Sequence, residues 1–112
     1  MHVLQLEHPT TLKMAPELEV TVTLFDANHC GGAAFLLLEG YMGRVLYSGD
    51  MRFDREIFKN YEQLYPPHLS NHEFDGCSKP VDVLYLDNTF LNRRFNFPPK
   101  DAVARMAVDF VK

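Results

Sequence analysis

VTLFDANHCGGAAFLLLEGYMGRVLYSGD, running from Val22 to Asp50, decides the fold. Its beginning continues an alternation that starts at Glu19. Glu19–Phe25, EVTVTLF, places polar and apolar residues in turn and is rich in β-branched side chains, which predicts a half-buried strand. Asp26, Ala27, Asn28 and His29 follow at once, then Cys30 and the pair Gly31–Gly32, so this strand runs into a glycine-rich loop. Ala34–Leu38 is apolar throughout and predicts a strand buried on both faces. Gly40 and Gly43 bracket a turn, and Arg44–Ser48 is the returning strand of a hairpin. Gly49 and Asp50 end it.

Further along, Asp54–Tyr65 predicts a short helix, and Pro66, Pro67, Gly76 and Pro80 mark a long surface loop. Val81–Leu86, VDVLYL, is another strand, ending at Asp87, Asn88 and Thr89. Lys100–Lys112 carries Ala102 or Val103, Met106, Ala107, Phe110 and Val111 at helical spacing, with Pro99 suited to the first turn. The Met106/Phe110 face is expected to join the core. Strands followed by a loop, a strand and a helix imply an α/β (α+β) chain: one domain over residues 1–112, a mixed sheet with a C-terminal helix on one face. The helical pattern runs to the last residue without a capping glycine or proline, as in a truncated chain.

Length and charge narrow the class. A chain of 112 residues supports one modest core. Its longest apolar run, Ala33–Leu38, is too short to span a membrane, and the N-terminus shows no basic region followed by an apolar stretch. Cys30 and Cys77 are the only cysteines and form no metal-binding spacing, so both are expected as reduced thiols. A net charge of −4 gives no support for nucleic-acid binding by the chain as a whole, and any basic groove must be local.

Polar residues gather at the strand ends: DANHC (Asp26–Cys30), SGD (Ser48–Asp50) and LDNT (Leu86–Thr89). Neighbouring strand ends can place imidazole and carboxylate around one cation, and zinc accepts both. Each motif alone reads more simply as loop chemistry, since an Asp after Gly is common in turns.

The longer stretch VTLFDANHCGGAAFLLLEGYMGRVLYSGDMRFD resembles the third and fourth metal-binding motifs of the Artemis and Apollo DNA-repair nucleases, metallo-β-lactamase-fold enzymes with a β-CASP insertion. VLYLDNTFLNRRF resembles the segment where that family enters its β-CASP region, so the likeness extends from Val20 to about Phe95. It implies part of a metallo-β-lactamase αββα sandwich. It also implies His29 as a ligand to one metal, Asp50 as the aspartate that bridges two metals, and Asp87 as an acidic residue orienting the site from its edge. The implied cofactor is zinc and the implied reaction is metal-assisted phosphodiester hydrolysis, acting on DNA 5′ ends, overhangs or hairpins. Cross-link repair, end joining or telomere protection, repair or telomere proteins as partners, and a nuclear location follow from the same likeness.

Two departures bear on that expectation. The family reads His-Cys-Pro-Gly where this chain has His29-Cys30-Gly31-Gly32, so the loop is more flexible. The family's HxHxDH motif, which supplies most metal ligands, does not occur in these residues, and His2 and His8 have the wrong spacing for it. A catalytic zinc normally has about three protein ligands plus water. The 112 residues alone are therefore expected to bind zinc weakly and to lack nuclease activity. An RNA-processing β-CASP nuclease, another metallo-hydrolase and a non-catalytic interaction module stay open as alternatives.

Lesser candidates complete the set. Arg93, Arg94 and Lys100, with Arg105, lie among Phe95 and Phe97 and could contact nucleic acid, against the plainer expectation of a solvated loop with both rings packed on the core. Arg52 matches the arginine of the family's TGDFR pattern and is expected to form a structural salt bridge. Cys30 is expected to be small and buried, and His68 and His72 to be surface residues.

Overall fold

The computed structural model describes residues 3–61, 63–64 and 80–112. His2, His68, His72 and Cys77, together with the long loop, lie outside the described residues. Strands β1 (Thr10–Ala15), β2 (Leu18–Asp26), β3 (Ala34–Gly40), β4 (Gly43–Tyr47) and β5 (Val83–Tyr85) form one sheet in the order β1-β2-β3-β4-β5. The first four are antiparallel neighbours, and β5 joins β4 in parallel, so the sheet is mixed as expected. Helix α1 (Arg55–Phe58) lies between β4 and β5 in sequence, and α2 (Lys100–Val111) closes the described chain.

Register follows from the hydrophobic pattern. Phe25 pairs with Phe35, Thr23 with Leu37, Leu37 with Leu46, and Leu46 with Leu84, which brings these side chains to one face. There Phe25, Phe35 and Leu37 are fully buried under Phe58 and Tyr61. Phe35 sits in the middle: its ring stacks at 4.9 Å on Phe25 and at 5.0 Å on Phe58, and meets Tyr61 edge-on at 5.8 Å. Such pairs add about 0.5–1.5 kcal/mol each beyond area burial. Helix α1 is one turn long. It persists because Asp54, in extended backbone, accepts the Glu56 N–H at 2.9 Å and because Phe58 is anchored in the core.

Several expectations need correction. Strand β1 was not foreseen, since TTLKMA is only weakly alternating and its pairing comes from β2. Strand β3 is not buried on both faces: burial alternates along it, because α1 covers one side and no described helix covers the other. The short helix expected within Asp54–Tyr65 is present, at Arg55–Phe58. Most of all, α2 packs against no strand. Met106 and Phe110 are 66% and 93% exposed, so the apolar stripe that predicted a core face belongs to no core among the described residues.

Candidate functional site

Three loops leave the same end of the sheet, and backbone geometry explains how each turns. After β2, Asp26 Oδ1 accepts the Asn28 N–H at 2.7 Å, and Asn28 takes a left-handed φ of 54°, a conformation Asn tolerates better than most residues. After β4, Gly49 takes φ 53°, a conformation that most residues with a side chain adopt only under strain, and the turn it makes leads into Asp50. After β5, the Asp87 carboxylate accepts the Thr89 N–H at 3.0 Å and the Thr89 hydroxyl at 2.6 Å.

The loops are then stitched together. Arg52 donates its N–H to the Ala27 carbonyl at 2.9 Å, and the Asn28 amide donates to the Arg52 carbonyl at 3.3 Å. These bonds tie the residues just before His29 to a residue just after Asp50. On the other side, the Ser48 N–H bonds to the Tyr85 carbonyl at 2.9 Å and the Asp87 N–H to Ser48 Oγ at 2.8 Å. Ser48 Oγ in turn donates to the Gly49 carbonyl at 2.8 Å. Ser48, 3% exposed, is the peg that holds the Asp50 and Asp87 loops at a fixed separation.

Asp50 and Asp87 line one cleft of about 320 Å³ together with Tyr47, Ser48, Gly49, Tyr85 and Leu86. His29 is exposed on its loop and lies outside that lining. The Asp87 carboxyl is held below the ordinary carboxylate range. The largest cause is the Thr89 hydroxyl, followed by the Thr89 and Met51 backbone N–H groups, with a smaller contribution from His29. Burial opposes the shift and is outweighed.

The sign of that shift sets an acid-stability prediction. A carboxyl depressed in the folded state stabilises the fold above its unfolded pKa, and this is lost as pH falls through the lower folded value. The melting temperatures of the unaltered chain and Asp87→Asn are expected to differ by a constant amount above about pH 5 and to converge below about pH 4. A difference independent of pH down to strong acid would contradict it. Removal of the peg is testable too. Ser48→Ala leaves the Asp87 N–H without its acceptor and is expected to lower stability by about 1–2 kcal/mol in urea denaturation.

The sequence-derived candidates thus divide. Asp50 and Asp87 meet in one cleft, and His29 lies outside its lining. Arg52 forms no salt bridge among the described residues; its guanidinium donates to the Pro98 carbonyl instead. Cys30 is exposed, because the Gly31–Gly32 turn carries it outward with its loop. Arg93, Arg94 and Lys100 are exposed, and Phe95 and Phe97 do not pack on the core: they are 49% and 55% exposed and contact each other and Phe90. Sequence reasoning placed Ser48, Asn28 and Thr89 in the strand-end motifs and gave them no role of their own. The signals were present: a Ser directly before Gly-Asp, an Asn two residues after Asp26, and a Thr two residues after Asp87.

The donor set falls short of a complete metal centre. Among the described residues no group of three or more His, Cys, Asp or Glu side chains is placed to hold a metal ion. Asp50 and Asp87 share the lining of one cleft, and His29 lies on a neighbouring loop at the same end of the sheet.

No family model matches the sequence. Curated relatives do. The chain is 34% identical over 93 residues to 5′ exonuclease Apollo of Rattus norvegicus, covering 83% of this chain and 15% of the relative. It is 40% identical over 83 residues to 5′ exonuclease Apollo of Danio rerio, covering 74% of this chain and 12% of the relative. It is 31% identical over 115 aligned positions to protein Artemis of Rattus norvegicus, covering 97% of this chain and 15% of the relative. The chain therefore spans about 15% of the length of the relatives it matches. With a mixed sheet of the expected kind and similarity to both proteins along most of its length, the chain belongs, as a partial member, to the Apollo and Artemis family of β-CASP metallo-β-lactamase-fold proteins.

Proposed function

We propose that residues 1–112 form part of a metallo-β-lactamase domain and contribute one wall of the active centre of a DNA-processing nuclease. The carrying observation is the stitching of three strand-end loops: Ala27 and Asn28 to Arg52, and Ser48 to both Tyr85 and Asp87. These bonds hold the three loops that carry His29, Asp50 and Asp87 together at one end of the sheet. In this reading His29 and Asp50 contribute ligands toward zinc, the remaining ligands coming from outside these residues. In the same reading Asp87, held by Thr89, keeps its negative charge and serves to orient the His29 ring.

The substrate follows from the relatives: those named 5′ exonuclease Apollo point to DNA 5′ ends. Work on damaged or unprotected DNA ends in the nucleus, with repair or telomere proteins as partners, belongs to the same proposal. The test uses the full-length protein with 5′-labelled DNA and RNA strands of equal sequence. DNA is expected to be shortened from its end and the activity to disappear on chelation. Cleavage of RNA in preference to DNA, or no cleavage of either, contradicts the reading.

A further inference from the structure

We propose that Phe90, Phe95 and Phe97, flanked by Arg93 and Arg94, form a stacking site for the unpaired bases of a single-stranded DNA end. The inference rests on the nuclease reading above and adds to it where the strand lies.

The three rings form a cluster apart from the core. Phe90 meets Phe95 edge-on at 5.3 Å and Phe97 edge-on at 5.1 Å, while Phe95 and Phe97 lie parallel within 10° at 6.2 Å. Each ring is about half exposed: 58%, 49% and 55%. Large apolar rings gathered at a surface need a partner to cover them. Two successive turns hold them there, with the Leu91 N–H on the Asn88 carbonyl at 3.1 Å and the Phe95 N–H on the Asn92 carbonyl at 2.9 Å. The Asn92 side chain also accepts the Arg94 N–H at 3.0 Å, so the arginine pair is carried on the same turn as the rings.

Charge selects the occupant. Arg93 and Arg94 are adjacent, exposed and form no ion pair among the described residues, and Lys100 stands a few residues on. Half-exposed rings interleaved with cations match bases joined by phosphates, because every base offers a π-face and every linkage a negative charge. A duplex end hides its base faces within the stack, so an unpaired end fits better. Position makes the site useful. Phe90 and Leu91 line a cleft of about 390 Å³ with Met51, Phe53, Leu86 and Asp87, so one ring of the cluster, Phe90, borders the candidate centre beside Asp87, and Phe95 and Phe97 extend from it. A strand stacked on the rings would have a neighbouring phosphodiester beside that carboxylate.

The experiment measures binding of fluorescent oligothymidylate to the full-length protein in EDTA, where no cleavage occurs, and compares it with a blunt duplex. The double variant Phe95→Ala/Phe97→Ala is expected to weaken single-strand binding by about tenfold or more and to leave duplex binding unchanged. Phe95→Trp/Phe97→Trp, which keeps the rings, is expected to retain it. Arg93→Ala/Arg94→Ala is expected to reduce the slope of log affinity against log salt by about 1.4, two phosphates at ~0.7 each. Unchanged oligothymidylate affinity in the alanine variant means the rings cover a protein surface and overturns the site. Equal losses on single strand and duplex overturn it as well. Absence of cleavage by the unaltered protein in magnesium or zinc bears instead on the nuclease reading, so the two failures are separable.

Discussion

Asp50→Ala in the full-length protein is expected to reduce DNA cleavage by more than about a hundredfold while leaving the melting temperature nearly unchanged. The magnitude follows from position. Groups that only orient a metal ligand typically cost ten- to a hundredfold when removed, so loss of a ligand itself should exceed that range. Neutrality toward folding follows from exposure: Asp50 is exposed at the mouth of the cleft, and the turn that projects it depends on Gly49 and Ser48, not on its own side chain. Asp87→Ala should fall lower on the activity scale, in the ten- to hundredfold range, because its proposed part is to orient His29. Steady-state cleavage of a 5′-labelled strand, paired with thermal melting, checks both. An Asp50→Ala protein that cleaves at the full rate removes this carboxylate from the chemistry.

Phe35→Ala is expected to be the most damaging single change to the fold, lowering stability by about 3–5 kcal/mol. Phe35 is 1% exposed and contacts Phe25, Phe58 and Tyr61, so truncation opens a cavity that three other rings line. The cluster is small, with Leu46, Met51 and Leu64 only partly buried around it, so the lost ring removes a central part of it. Domains of this size hold only about 5–15 kcal/mol in total. The variant should therefore unfold at markedly lower urea, or be partly unfolded at the start, when followed by circular dichroism. Phe35→Leu, which keeps most of the volume, should lose much less. An alanine variant within 1 kcal/mol of the unaltered chain, on the scale of the cavity effects cited, would place the core elsewhere.

How much of this was legible beforehand depends on how local the signal was. The strands Leu18–Asp26, Ala34–Gly40 and Gly43–Tyr47 were readable because alternation, β-branched residues and paired glycines all act within a few residues of one another. The pairing of β1 with β2 was not, since Thr10–Ala15 takes its conformation from its neighbour. The exposure of α2 shows the opposite limit. Its apolar stripe is real in sequence, but periodicity says only that a face wants cover, not what covers it. For the candidate site, Asp50 and Asp87 were picked out through the family resemblance, while the scaffold that holds them was not foreseen. Ser48 reaches Asp87 across 39 positions, and the Arg52–Ala27 bond spans two loops that only the sheet brings together. Phe95 and Phe97 were expected in the core because phenylalanine usually is; the turns at Asn88 and Asn92 carry them outward instead.

The two carboxylates and the imidazole act as one centre only if their removal is not independent. A double-mutant cycle on DNA cleavage, using His29→Ala, Asp50→Ala and the combined variant of the full-length protein, tests this directly. Groups that serve one centre lose most of their effect once the first is gone, so the combined variant should be about as slow as the slower single one. Losses that multiply, as for two unconnected sites, would contradict the account.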